Sequence, residues 1–172
     1  MADNGVHIEG LDDVLKNLSR LGPEVRKAAM DGLKKGGLNI IADAQENLKK
    51  NGHNGRPINA TGQLSNSGRV QELRDESLEV GFFSQGSEEG HAAIVEYGST
   101  KRWWAPLRYL HDWAMVKFSV NEKDAWPIAK GTQKRIHERG LIPHPFFGPA
   151  VNNNKSKLIE AVKGAINAKI TK

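Results

Sequence analysis

The spacing of apolar residues predicts two helices in the first fifty residues. Leucines and a valine recur every three or four positions between Gly10 and Leu21, which is the spacing of one helical face. Gly22 and Pro23 then separate this helix from a second one, which we expect to run from about Pro23 to about Lys50. The second helix has its expected core positions at Val25, Ala29, Leu33, Ile40, Ala44 and Leu48.

Three glycines lie inside the second predicted helix, at Gly32, Gly36 and Gly37. Each weakens the helix by roughly 1 kcal/mol relative to alanine. They indicate either a kink or break at this point or the close approach of another helix. Of these two interpretations we favour the kink.

The middle of the chain alternates between apolar and polar residues, which is typical of half-buried strands. The segments SGRVQEL and SLEVGFF predict a hairpin whose turn lies at RDES, and HAAIVEYG, from His91 to Gly98, predicts a third strand. Residues 51–66 are rich in glycine and asparagine and predict a loop.

The C-terminal part predicts helices again. All four tryptophans lie between residues 101 and 140, where the apolar spacing indicates two helices that form a hairpin. LIPHPFFGPAV then predicts an extended crossing, because a residue that precedes proline is pushed away from the helical conformation. A final helix is expected from about Pro149 to Ile170.

This order of elements predicts an α+β fold with a small antiparallel sheet packed with N-terminal and C-terminal helices. We expect residues 1–172 to form a single domain, with residues 101–140 as an inserted helical hairpin. The free edges of such a sheet can pair with another subunit.

Charge and composition narrow the class of protein. The chain carries a net charge of +5, and its 172 residues include no cysteine, which excludes disulfides and cysteine-based zinc sites. Residues 101–172 hold 14 basic and 5 acidic side chains, whereas residues 51–100 hold 3 basic and 7 acidic ones. We expect neither a membrane-spanning segment nor a secretory signal, because no apolar run approaches ~20 residues and MADNGVHIEG lacks the signal pattern.

The sequence offers no recognisable catalytic or metal-binding spacing. The six histidines are scattered without an HExxH pattern, and no phosphate-binding glycine motif is present. Glu96 is the acid that an enzyme would use as a general acid or base. We instead expect Glu96 to face solvent or to pair with an arginine of a neighbouring subunit. No catalytic residue, metal or cofactor is therefore predicted.

A basic and aromatic segment has two interpretations. Lys101, Arg102, Trp103 and Trp104, together with Lys134 and Arg135, have the composition of a nucleic-acid surface on which bases stack. Aromatic and arginine side chains also fill cores and anchor protein interfaces, which is the interpretation that we favour. A DNA-binding accessory protein is the alternative function.

Three separated segments carry a resemblance to a known family: ATGQLSNS at 60–67, AIVEYGST at 93–100 and PHPFFGPAV at 143–151. They resemble, in order, the TGxL, (V)E(Y/F)GT and PFLxPA segments of the HK97 gp10-like family of tailed-bacteriophage neck, or tail-completion, proteins. Ser99 stands where threonine is usual, and Phe147 stands where leucine is usual. The helical flanks and the tryptophan-rich insertion are also similar to the family.

The resemblance implies a structural, non-enzymatic protein of the virion neck that joins the tail to the DNA-filled head. It implies a homo-oligomeric ring, which we expect to be six-fold, assembled in the host cytoplasm. The implied partners are tail terminator and tail tube proteins, head connector and stopper proteins, and genome DNA that passes through the channel without specific binding.

The residues expected at interfaces or in structural motifs are Thr61, Gly62, Leu64, Glu96, Tyr97, Gly98, Trp103, Trp104, Pro145, Phe146, Phe147 and Pro149. We expect Tyr97 and Gly98 to end a strand, and the segment from Pro145 to Pro149 to pin the insertion against the sheet with at least one phenylalanine buried. The acidic residues of the strand region either meet basic residues of an adjacent subunit or line the DNA channel; these are Glu72, Asp75, Glu76 and Glu79.

Overall fold

A computed structural model describes residues 22–50, 61–73, 77–83, 91–100 and 102–170 of the chain. The predicted N-terminal helix, most of the predicted loop at 51–66 and the centre of the hairpin turn lie outside the described residues. In chain order the described elements are α1 (Pro23–Lys50), α2 (Gln63–Asn66), β1 (Gly68–Glu72), β2 (Leu78–Phe82), α3 (His91–Tyr97), α4 (Leu107–Phe118), α5 (Glu122–Arg139) and α6 (Phe147–Ile170).

The predicted α+β class is confirmed, because helices flank a small antiparallel sheet formed by β1 and β2. The predicted third strand is wrong, since residues 91–97 form helix α3. The adjacent apolar pair Ile94 and Val95 fits a helix as well as a strand. Gly98 then adopts φ +76°, the left-handed conformation in which many helices end.

The described residues fall into two compact units. The first contains the described parts of Met1–Gln45, Gly68–Gly81 and Phe147–Lys172, and the second contains those of Glu46–Ser67 and Phe82–Phe146. That residues 1–172 form one domain with 101–140 as an insertion stays a prediction.

The core of the first unit lies between α1 and α6. Ala29, Met30 and Leu33 of α1 pack there with Leu158 and Val162 of α6. All five of these residues are buried, and two of them, Ala29 and Leu33, are among the core positions expected for α1.

The glycines of α1 lie where α6 approaches most closely. A Cβ atom at Gly32 would lie 2.8 Å from the Val162 Cα, and one at Gly36 would collide with the Leu158 side chain. Helix α1 runs without interruption from Pro23 to Lys50. Close helix approach, which was the less favoured interpretation, is therefore confirmed, and a break in the helix is excluded.

The β-hairpin packs one of its faces on α1. A Cβ atom at Gly37 would lie 2.9 Å from Val80 and 3.0 Å from Val70. Near the turn, Glu72 forms an ion pair with Lys34 at 2.8 Å, and this hydrogen bond and the charge of Glu72 raise the pKa of Lys34. Glu72 thus has a partner within its own chain.

The predicted helical hairpin is present in the second unit as α4 and α5. The Asn121 side chain accepts the Asp124 N–H at 2.9 Å and so caps the start of α5. Ala114, Ala125 and Ala129 are completely buried, and their small side chains are suited to close helix packing. None of the helices in the described ranges combines the length and the apolar character that a membrane span needs.

The segment 140–146, which leads from α5 to α6, forms no helix, and its Leu141 pairs with Ser99, in the chain after α3, through an isolated antiparallel bridge. Helix α6 begins at Phe147, two residues before its expected start at Pro149. Proline is tolerated here because it lies in the first turn, where its missing N–H would have no helical acceptor.

Candidate functional site

Helix α3 points Glu96 into the second unit, where the residue is only 8% exposed. Its Oε2 atom accepts the backbone N–H of Phe146 at 2.7 Å. On the other side of the same residue, the Phe146 carbonyl accepts a hydrogen bond from Asn47 Nδ2 at 2.9 Å. Side chains from α1 and α3 therefore satisfy both backbone polar groups of a buried residue, as burial requires.

This position corrects the expectation for Glu96. We expected the carboxylate to face solvent or to pair with an arginine of another subunit, but it is buried and hydrogen-bonded within its own chain. A carboxylate acceptor makes a stronger hydrogen bond with a backbone N–H than a neutral acceptor does. The segment around Phe146 is thus held where its backbone amide meets Glu96.

The Phe146 ring fills the centre of the same cluster and is completely buried. It packs edge-to-face on Phe82 of β2, with ring centroids 5.0 Å apart and planes at 81°. The expectation that at least one phenylalanine of this motif is buried is confirmed. The motif contacts both the end of the sheet, at Phe82, and helix α3, at Glu96.

A second set of contacts joins the same two motifs. The N–H of Ser99 donates to the Leu141 carbonyl at 3.0 Å, and the N–H of Leu141 reaches the Ser99 carbonyl at 3.2 Å and its Oγ at 3.0 Å. The N–H of His144 donates to the Val95 carbonyl at 2.8 Å. We call the set Asn47, Phe82, Glu96, Gly98, Ser99, Leu141 and Phe146 the motif clamp.

Gly98 makes the close contact in the motif clamp possible. Its φ of +76° is unfavourable for other residues, and a Cβ atom there would collide with the Leu141 carbonyl oxygen. The expectation that Tyr97 and Gly98 end a strand is wrong. They end a helix, α3. Gly98 thus ends α3, and α4 and α5 follow it in the chain.

Two large apolar side chains flank the bridge between Ser99 and Leu141. Tyr97 is 74% exposed and Ile142 is 73% exposed. Sequence reasoning selected Tyr97 and missed Ile142, although an apolar residue before Pro143 in an extended segment is a weak signal. It also missed Asn47, which lies among other polar residues of a long helix.

The TGxL segment forms a local structure in the same unit. Gly62 adopts φ +76° before α2, and its carbonyl accepts the N–H of Asn66 at 2.9 Å. Leu64 is buried at 3% exposure, whereas Thr61 is half-buried. Thr61 and Gly62 therefore shape the entry to the short helix that buries Leu64.

The other predicted positions vary in exposure. Trp103 is half-buried, whereas 56% of Trp104 is exposed, and the Trp104 indole stacks on the His137 imidazole with centroids 3.8 Å apart. Pro145 is exposed. Phe147 and Pro149 lie in the first turn of α6, in the first unit, and both are half-buried.

The arrangement of the motif clamp favours a structural role over a catalytic one. Its one carboxylate is used to hold a backbone N–H, and its aromatic rings pack on each other. Within the ranges that the structure describes, no three histidines, aspartates or glutamates are grouped so that they could hold a metal ion.

The fold and the motif clamp define a small α+β protein in which motif residues such as Glu96 and Phe146 form hydrogen bonds and packing contacts within the chain. Residues 12–98, about half of the chain, match the family described as "Bacteriophage HK97-gp10, putative tail-component". The chain belongs to this HK97 gp10-like family, a family of bacteriophage tail components. No curated protein and no solved structure matches the chain.

The family match contains the first motif and residues 93–98 of the second motif, and it ends at Gly98. The third motif, PHPFFGPAV, lies beyond it, but the structure joins this motif to the second one through Glu96 and Phe146. The contacts of the motif clamp thus connect the matched region to residues 141–146.

Proposed function

We propose that this protein is a structural component of the virion neck, a tail-completion protein that joins the tail to the DNA-filled head. The observation that carries this proposal is membership of a phage tail-component family. The motif clamp supports this proposal, because its motif residues Glu96 and Phe146 are used for hydrogen bonding and packing within the chain.

The proposed role needs a surface that mates with other virion proteins. Tyr97 and Ile142 are each nearly three-quarters exposed. In the chain they directly follow Glu96 and Leu141, two residues of the motif clamp. Exposed aromatic and large apolar side chains of this kind are common anchors of protein interfaces. In this proposal the buried motif residues hold the backbone that presents these two side chains.

We further propose that copies of the chain form a closed ring, six-fold as the resemblance implies. A ring requires heterologous contacts, in which one patch of each copy meets a different patch of the next. Acidic residues of the hairpin and basic residues of α5 or α6 are candidates for such contacts. The acidic candidates in this part of the chain are Glu72, which also pairs with Lys34, and Asp75, Glu76 and Glu79.

The proposed ring would contact tail terminator or tail tube proteins on one side and head connector or stopper proteins on the other. Genome DNA would pass through its channel without specific binding. Lining of the channel by the hairpin acids is the alternative to their contact with a neighbouring copy, since negative charge would let DNA slide. We place assembly in the host cytoplasm and the mature protein in the neck of the virion.

The proposal is tested by interrupting the gene in its phage and examining the lysate by negative-stain electron microscopy. We expect filled heads and separate tails, and we expect joined particles to return when the wild-type protein is supplied from a plasmid. Infectious, joined particles from the interrupted gene would refute the proposed function.

A further inference from the structure

Residues 102–105 lie along helix α5 and are fixed to it by three contacts. The N–H of Arg102 donates to the His137 carbonyl at 2.6 Å, and Gln133 Nε2 donates to the Ala105 carbonyl at 2.7 Å. Between them, the Trp104 indole stacks on the His137 imidazole with an angle of 18° between the planes. The indole is therefore held in one orientation while 56% of the residue stays open to solvent.

Two basic residues lie close to Trp104 or its partner His137 in the chain: Arg102 and Lys134. Arg102 is exposed, and its φ of 72° is a left-handed conformation that costs a non-glycine residue on the order of 1 kcal/mol. Lys134 precedes His137 by three residues, so the two side chains lie on neighbouring positions of one helix face. Lys134 is 3.9 Å from Glu138, but both are largely exposed, and such a pair contributes little, which leaves Lys134 able to bind another anion.

We propose that Trp104, Arg102 and Lys134 form a binding site for single-stranded nucleic acid. An exposed indole offers a face on which one base can stack, and the two cations can bind the phosphates on either side of that base. An acidic protein surface would pair with the cations through its carboxylates, whereas every nucleotide of a strand supplies both a phosphate for the cations and a base for the indole. The combination of a fixed aromatic ring with cations therefore favours a nucleic-acid strand over an acidic protein.

The proposal of this site does not depend on the proposed function of the protein in the virion neck. Stacking is tolerant of sequence, because every base has a π-face. The interior of a duplex presents no free base face, so the site would hold an unpaired strand and would not retain duplex DNA that moves past it.

The experiment is a fluorescence-anisotropy titration of the full chain with a labelled oligothymidylate of about 20 nucleotides, which exceeds one binding site of this kind. We expect Trp104→Ala to weaken binding about tenfold at low salt. Lys134→Gln removes one phosphate contact, so the slope of log affinity against log salt should become shallower by roughly 0.7. Because Lys134 is exposed, this second variant tests the site even if Trp104→Ala lowers stability.

Trp126→Ala is the matched control. Trp126 also lies on α5 and packs on an imidazole, that of His111, at 4.2 Å, and it is 39% exposed. Its neighbours in the chain include Glu122 and Asp124 as well as Lys123, so it lacks a surplus of positive charge. Binding by Trp126→Ala should equal that of the wild type.

Three results would overturn the proposal. They are an absence of binding by the wild-type chain at low salt, unchanged binding by Trp104→Ala, and equal losses in Trp104→Ala and Trp126→Ala. Displacement of the oligonucleotide by polyglutamate, combined with unchanged affinity in Trp104→Ala, would identify an acidic protein surface as the partner. None of these results bears on whether heads and tails join in the absence of the gene.

Discussion

The carboxylate of Glu96 accepts the backbone N–H of Phe146 at 2.7 Å, fifty residues further along the chain. Both residues are buried, so neither group can replace this bond with water. Together with the hydrogen bond from the His144 N–H to the Val95 carbonyl, this bond joins the helix of the second motif to the segment that precedes α6 in the third motif.

Replacing Glu96 with alanine should lower the free energy of unfolding by roughly 1.5–3 kcal/mol, because the buried Phe146 N–H loses its charged acceptor. Glu96→Gln keeps an acceptor oxygen and should lose less. Urea denaturation followed by circular dichroism measures both. The control is Glu138→Ala, which removes an exposed carboxylate and should change stability by less than about 0.5 kcal/mol. Equal stability of Glu96→Ala and the wild type would show that the motif clamp contributes little.

Gly98→Ala should destabilise the protein more than Gly62→Ala does. Both glycines have a φ of +76°, so both substitutions carry the cost of a left-handed conformation, roughly 1 kcal/mol or more. Only at Gly98 would the new Cβ also collide with a backbone oxygen, that of Leu141, whereas at Gly62 the nearest atom is 3.7 Å away. The difference between the melting temperatures of the two variants measures the steric cost at Gly98, because the conformational cost is common to both. Equal melting temperatures would contradict the close contact.

Gly32→Ala and Gly164→Ala should change stability in opposite directions. A Cβ atom at Gly32 would press on the Val162 backbone at 2.8 Å and force α1 and α6 apart, at a cost of about 1–3 kcal/mol. At Gly164 nothing lies within 4 Å, so alanine should stabilise α6 by roughly 0.5–1 kcal/mol. Chemical denaturation measures the two changes. A stabilising Gly32→Ala would refute the close approach of the helices.

Replacing both Tyr97 and Ile142 with serine should impair assembly without unfolding the chain. Both side chains are nearly three-quarters exposed, so we expect the unfolding midpoint to stay near that of the wild type. In complementation of the interrupted gene, the double variant should yield fewer joined particles than the wild type. A matched double variant, Val116→Ser with Ile170→Ser, removes two other exposed apolar side chains and should complement normally. Full complementation by the Tyr97 and Ile142 variant would exclude this pair from the assembly surface.

The long helices were predictable because their apolar spacing repeats over many turns. The bounds predicted for α1 and α6 match the observed elements to within two residues at each end. Helix α3 was not predictable in the same way, because its seven residues complete only two turns. Its adjacent Ile94 and Val95 satisfy either a helix or a strand.

The sequence indicated the segments that contain Glu96 and Phe146, but it did not indicate the contact between these two residues. The segments around Glu96 and Phe146 were selected as motifs, yet nothing local indicates that a carboxylate is buried against a backbone N–H fifty residues away. Similarly, the glycines of α1 indicated either a kink or close packing, and only the position of α6 decides between them. Contacts between distant segments set both outcomes.

The central claim is that this protein is part of the virion at the junction of head and tail. Cryo-electron microscopy of purified infectious particles tests it most directly, together with mass spectrometry of the same particles. We predict that peptides of the chain are present, and that density at the junction forms a ring of copies into which the α4–α5 hairpin and the α1–α6 pair can each be fitted. Particles that are infectious and contain no peptide of this chain, or that carry it away from the junction, would contradict the account.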